Sequence, residues 1–121
     1  MVTQEKSKLR IVTWVDRKGN KVVSEWMRQL DHQSKKQFDK LFNMLRAEGH
    51  NLGRPYVGAL GNGLFELRDP RQSGPGFRLY FCWEGDTIVI LLGAGDKGSQ
   101  EHDIAVCVDR MWDLNAKEDG E

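Results

Sequence analysis

The hydrophobic period of this chain changes at Gly49. Before it, Val22, Val23, Trp26, Met27 and Leu30 fall on one helical stripe, and Phe38, Leu41, Phe42 and Leu45 on a second. Ser34 and Gln37 have the capping-box spacing that starts the second helix, and Gly49 stops it. Beyond Gly49 the apolar residues alternate. Leu64-Phe65-Glu66-Leu67-Arg68 and Phe77-Arg78-Leu79-Tyr80-Phe81-Cys82-Trp83 read as strands, joined by a Pro- and Gly-rich loop. The second leads through the hairpin turn Glu84-Gly85-Asp86 into the apolar run of residues 87–92, a central strand. A β-branched run over residues 9–15 supplies an earlier strand. A last helix from Ser99 gathers Ile104, Val108, Met111 and Trp112 on one face, then frays. The order is β-α-α-β-β-β-α. Helices grouped early and strands grouped late give an α+β fold, a helical hairpin packed on one face of a small antiparallel-rich sheet.

A chain of 121 residues is one domain, with its core over about residues 9–114 and an acidic tail at residues 115–121. Eleven aromatics within 39% hydrophobic residues exclude a disordered chain. No apolar run approaches the roughly 20 residues of a bilayer span, and the first ten residues lack a signal-peptide core, so a soluble cytoplasmic protein is expected. Cys82 and Cys107 have no metal-ligand spacing and read as reduced core residues, so zinc is not expected. The net charge is zero, yet residues 1–80 hold fifteen Lys and Arg against eight Asp and Glu, and residues 81–121 hold three against ten. Either the fold separates these charges and its basic side meets an anion, or it interleaves them.

Strand alternation points to a site. Arg78, Tyr80 and Cys82 share one face of their strand, and Glu66 and Arg68 share one face of theirs. If residue 68 pairs with residue 78, Glu66 lies opposite Tyr80, and all four polar side chains cluster on the face away from the helices. Two arginines placed opposite one another call for an anion between them, for which a phosphate would serve. The alternative is that Glu66 pairs with an arginine on a solvated face. Gly93-Ala94-Gly95-Asp96-Lys97-Gly98 leaves the central strand for a helix, where backbone amides beside Lys97 suit an anion; otherwise it is a flexible connection with a surface lysine. His102 is a candidate acid or base, whereas His32 and His50 read as surface residues. The patterns GxSxG, HExxH, GxxxxGK[ST] and GxGxxG are absent.

Three stretches together resemble the RelE/ParE toxin superfamily, and within it the HigB-like addiction module killer proteins. They are Gly63-Leu64-Phe65-Glu66-Leu67-Arg68, then Gly76-Phe77-Arg78-Leu79-Tyr80-Phe81, then Leu91-Leu92-Gly93-Ala94-Gly95-Asp96-Lys97-Gly98-Ser99-Gln100-Glu101-His102-Asp103-Ile104-Ala105. The resemblance spans residues 10–114. It implies a RelE-like fold and a type II toxin paired with an antitoxin, a small helix-turn-helix protein. It also implies ribosome-dependent cleavage of mRNA by attack of a ribose 2′-OH on the adjacent phosphate, with no metal and no cofactor. Carried onto this chain, it makes Arg78 the transition-state clamp and Arg68 the second phosphate contact, with Lys97 as a further cation. Tyr80, Glu66 or His102 would move protons. Other branches imply a ParE-like inhibitor of gyrase, or an inactive relative that acts only as antitoxin partner and co-repressor.

Overall fold

Strand β1 (Arg10–Thr13) is followed by helices α1 (Val22–Arg28) and α2 (His32–Glu48). Four strands come next, β2 (Val57–Gly61), β3 (Leu64–Arg68), β4 (Arg78–Glu84) and β5 (Ile88–Gly95), and then helix α3 (Gln100–Asp119). These elements come from a computed structural model that describes residues 9–72 and 74–119. The fold is α+β. Its strands form one mixed sheet in the order β1-β5-β4-β3-β2, with β1 parallel to β5 and the other neighbours antiparallel.

Helix α2 starts one turn earlier than its sequence suggests. The Asp31 carboxylate accepts from the Ser34 amide at 3.2 Å, so Asp31 is the cap and Ser34 lies inside the helix. Phe38, Leu41 and Leu45 then point inward and are fully buried. With Val23 of α1 they pack on Leu67, Leu79, Phe81, Val89 and Leu91 of the sheet. Trp26 meets Phe38 and Phe77 edge-on, at centroid distances of 6.4 and 5.3 Å.

Several expectations are corrected. The order gains a strand, β2, because Val57-Gly58-Ala59-Leu60-Gly61 lacks apolar alternation yet pairs with β3 through Val57–Leu67, Gly58–Glu66 and Ala59–Phe65. Asn62 and Gly63 close that hairpin with φ of 56° and 86°, the left-handed pair that a tight two-residue turn requires. The helices do not share one face. Helix α3 covers the opposite side of the sheet, where Ile104, Cys107, Val108 and Met111 pack with Leu64, Tyr80, Cys82 and Leu92. Trp112 is not on that buried face but 69% exposed, and Leu114 takes its place in the packing. Helix α3 continues through Asp119 instead of fraying from residue 115; residues 120–121 lie outside the described residues. Among the described residues, no helix is long and apolar enough to cross a membrane.

Strand β5 also runs past Leu92 to Gly95, through the stretch expected to be a loop. The pairing with β4 shifts between Tyr80 and Phe81, leaving Leu92 as the extra residue of a bulge. Its carbonyl accepts from Arg110 Nη1 of α3 at 2.7 Å, and the Arg110 guanidinium lies 4.4 Å over the Trp14 ring. The two glycines after the bulge let α3 approach. A Cβ on Gly93 would stand 2.5 Å from Cys107 Sγ, and one on Gly95 would overlap the Asp103 carboxylate.

Candidate functional site: a buried carboxylate among arginines

Strand register lays two rows of residues across the α3 side of the sheet. One row runs Gly58, Glu66, Tyr80, Gly93, and its neighbour runs Arg68, Arg78, Gly95. The expected pairings of residue 68 with 78 and of 66 with 80 are both present. The loop entering β4 is fixed from outside. Arg71 Nε donates to both Asp69 oxygens at 2.9 and 3.0 Å, and its Nη2 reaches Ser34 Oγ of α2 at 3.0 Å. That fork to Asp69 raises the Arg71 pKa further and pins the loop to α2.

At the centre, Glu66 Oε1 accepts from Arg78 Nη1 and from Gln100 Nε2, each at 3.3 Å. Both charges are buried, Glu66 at 5% and Arg78 at 6% exposure, and Arg78 Nε also donates to the Gly76 carbonyl at 3.2 Å. Arg78 is therefore held by its own strand, by the preceding loop and by a carboxylate. Tyr80 beside it is fully buried, and its hydroxyl has no hydrogen-bond partner. Burial pushes the Tyr80 pKa well above the ordinary phenol range against the opposing pull of Arg78, so the hydroxyl keeps its proton. Arg68 is half-buried, with Nε likewise buried and unpartnered. Unpartnered buried polar groups cost about 1–3 kcal/mol each, and such groups mark strained or functional places in a fold.

The remaining sequence candidates divide. Lys97 is exposed and comes up against Gly76, where its Cβ would lie 3.2 Å from a Gly76 Cβ and Arg78 Nη2 3.7 Å from the same point, so it flanks the arginine. His102 is exposed and lines a different groove, between α1 and α3, with Val22, Trp26 and Arg110. The helix-start amides next to Lys97 already have an anion: Asp96 Oδ1 accepts from the Ser99 amide at 3.0 Å, and the Asp96 amide donates to Ser99 Oγ at 3.2 Å. His50 is exposed, as expected, and its ring stacks on Trp83 at 3.7 Å. Sequence reasoning missed Gln100 and Arg54. Gln100 is the first residue of α3, and only its presence in the third motif stretch pointed to it. Arg54 precedes β2, in a strand hairpin that went unread. Among the described residues, no three His, Cys, Asp or Glu side chains converge to hold a metal ion.

The fold and site define an α+β protein that concentrates cationic side chains around one buried carboxylate at the end of a mixed sheet. Residues 25–111 match the family described as Phage derived protein Gp49-like (DUF891), and the chain belongs to that family. It is a toxin family associated with toxin–antitoxin modules, in which the toxin is paired with an antitoxin. No curated protein matches the chain.

Proposed function

We propose that this protein is the toxin of a type II toxin–antitoxin module and a metal-free endoribonuclease that cuts mRNA on the ribosome in the cytoplasm, as the HigB-like branch of RelE-like toxins does. The observation that carries this reading is the double anchoring of Glu66 by Arg78 and Gln100, next to an Arg68 whose Nε is unpartnered. A carboxylate held on one oxygen keeps the other, Oε2, for a proton. Glu66 takes the proton of a ribose 2′-OH, the 2′ oxygen bonds to the adjacent phosphorus, and the bond to the 5′ oxygen breaks. The products are a 2′,3′-cyclic phosphate and a 5′ oxygen that leaves and takes a proton from water, and Glu66 then returns its proton to the solvent. Arg68 and Lys97 hold the phosphate and offset the charge that grows on it. Arg78 then acts chiefly by positioning Glu66, since a buried, paired guanidinium meets a phosphate only if that carboxylate yields. Tyr80 stays protonated and lends shape, and His102 stands outside the site.

The test is growth on induced expression. Wild-type chain should arrest growth with transcripts cut inside codons and carrying cyclic phosphate ends, and Glu66→Gln and Arg68→Ala should each lose both effects. Arrest with intact mRNA and cleaved gyrase complexes would replace this reading with the ParE-like one. The burial of Arg78 at 6% exposure specifically favours a second reading, a relative whose cation is locked in an ion pair and whose work is antitoxin binding and co-repression. Unimpaired growth at high expression would select it.

A further inference from the structure

The two ends of the site are covered differently. At the Gly93 and Gly95 end, α3 lies against the sheet through Cys107, Asp103 and Ser99. At the opposite end of the row stands Gly58, buried on edge strand β2 with the Arg54 guanidinium against it. A Cβ on Gly58 would lie 3.2 Å from Glu66 Oε2, 3.4 Å from Arg54 Nη2 and 3.5 Å from Arg54 Cζ. The missing side chain thus lets the unused oxygen of Glu66 and the Arg54 guanidinium approach the same point. Arg54 is exposed, and among the described residues it makes no hydrogen bond or ion pair. Arg68 shares that state at Nε, whereas three other arginines are engaged. Arg71 is taken by Asp69 and Ser34, Arg78 by Glu66 and Gly76, and Arg110 by Leu92 and Trp14.

Resting on the nuclease reading, we propose that Arg54 binds the phosphate on the 5′ side of the ribose whose 2′-OH faces Glu66, so that the protein holds two successive phosphates of one RNA strand. The geometry orders the contacts. Arg68 and Lys97 receive the scissile phosphate, Glu66 Oε2 faces the sugar between the two phosphates, and Arg54 lies beyond it at the Gly58 end. An RNA strand entering here cannot continue toward Gly93 and Gly95, where α3 is in contact, so it passes over the exposed Arg54 beside β2. Arg54 also screens the repulsion that Glu66 would exert on a phosphate at that end.

The experiment is single-turnover cleavage on ribosomes programmed with an mRNA whose linkage 5′ to the cleaved ribose is either a phosphate or an uncharged methylphosphonate. Wild-type chain should cut the neutral linkage about tenfold more slowly, the loss of one charge-assisted contact. Arg54→Ala should cut both messages at that reduced rate, and Arg54→Lys should restore part of the preference. Arg54→Ala should melt at the wild-type temperature, because it removes an exposed, unpaired side chain. Wild-type cleavage that is indifferent to the linkage, or an Arg54→Ala variant that still discriminates, overturns the inference and leaves the nuclease reading standing. A wild-type chain that cuts neither message overturns both.

Discussion

Arg78 and Glu66 form an ion pair at 3.3 Å with both side chains more than nine-tenths buried, so neither charge has water to fall back on. Removing one partner strands the other, which costs about 3–5 kcal/mol for a buried pair. Arg78→Ala should therefore lower urea stability by roughly 3 kcal/mol, softened by the Gln100 amide that remains on Glu66. Replacing both charges together, as Arg78→Met with Glu66→Leu, should cost less than either single change, since no charge is left unpaired. A double change that costs the sum of the single ones would show the two residues to be energetically independent. Loss of toxicity in Arg78→Ala alone would thus be ambiguous, whereas Glu66→Gln keeps the shape of the pair and isolates proton acceptance. Trp112 gives the opposite case. At 69% exposure its removal should move stability by less than about 0.5 kcal/mol, checked by the same urea titration.

At the level of strands and helices, alternation made β3 legible to the residue and β4 to within one residue at each end, down to the pairing of Glu66 with Tyr80. It failed for β2, because two glycines in five residues erase the period, although Asn62-Gly63 is a hairpin turn signal that implied a strand on each side. The position of α3 was hidden for a different reason. The face it covers is apolar at Leu64, Cys82 and Leu92 but polar at Glu66 and Arg78, so the strand pattern averages to a half-solvated surface. The cluster of Arg68, Arg78, Glu66 and Tyr80 could be read from the sequence; its burial could not, because burial depends on where a distant helix lands. Gly95 records that landing. Gly95→Ala would drive its methyl into the Asp103 carboxylate and to 2.6 Å from Ser99 Oγ, forcing the start of α3 outward. The overpacking should cost about 1–3 kcal/mol in urea unfolding, and adding Asp103→Gly should recover part of it. An Ala at this position that leaves stability untouched would mean that α3 does not sit this close.

Viewed as a whole, the molecule is a sheet between two unequal layers, with α1 and α2 on one side and α3 alone on the other. The α3 side of the sheet carries both the site and three titratable groups that fold in neutral form. Burial raises the Cys82 thiol to about 11 and the Cys107 thiol to about 12, from an ordinary value of 9.0, and lifts Tyr80 beyond the phenol range. A pKa raised in the folded state means that the unfolded chain loses its protons first. The stabilisation is complete below pH 9, declines as pH rises from there toward 11 and 12, and is then fully lost. The melting temperature should accordingly hold steady from pH 7 to 8.5 and fall between pH 9 and 10.5. Both thiols should resist a disulfide-exchange reagent in the native state and react promptly in urea. A Cys82→Ala, Cys107→Ala double variant should start from a lower melting temperature but lose less of it over the alkaline range, with the remaining slope left to Tyr80. Because these groups lie under α3, the same alkaline step should loosen that helix ahead of α2, which hydrogen exchange resolved by segment can read out. Uniform loss of protection across α2 and α3 would show instead that the two layers unfold as one unit.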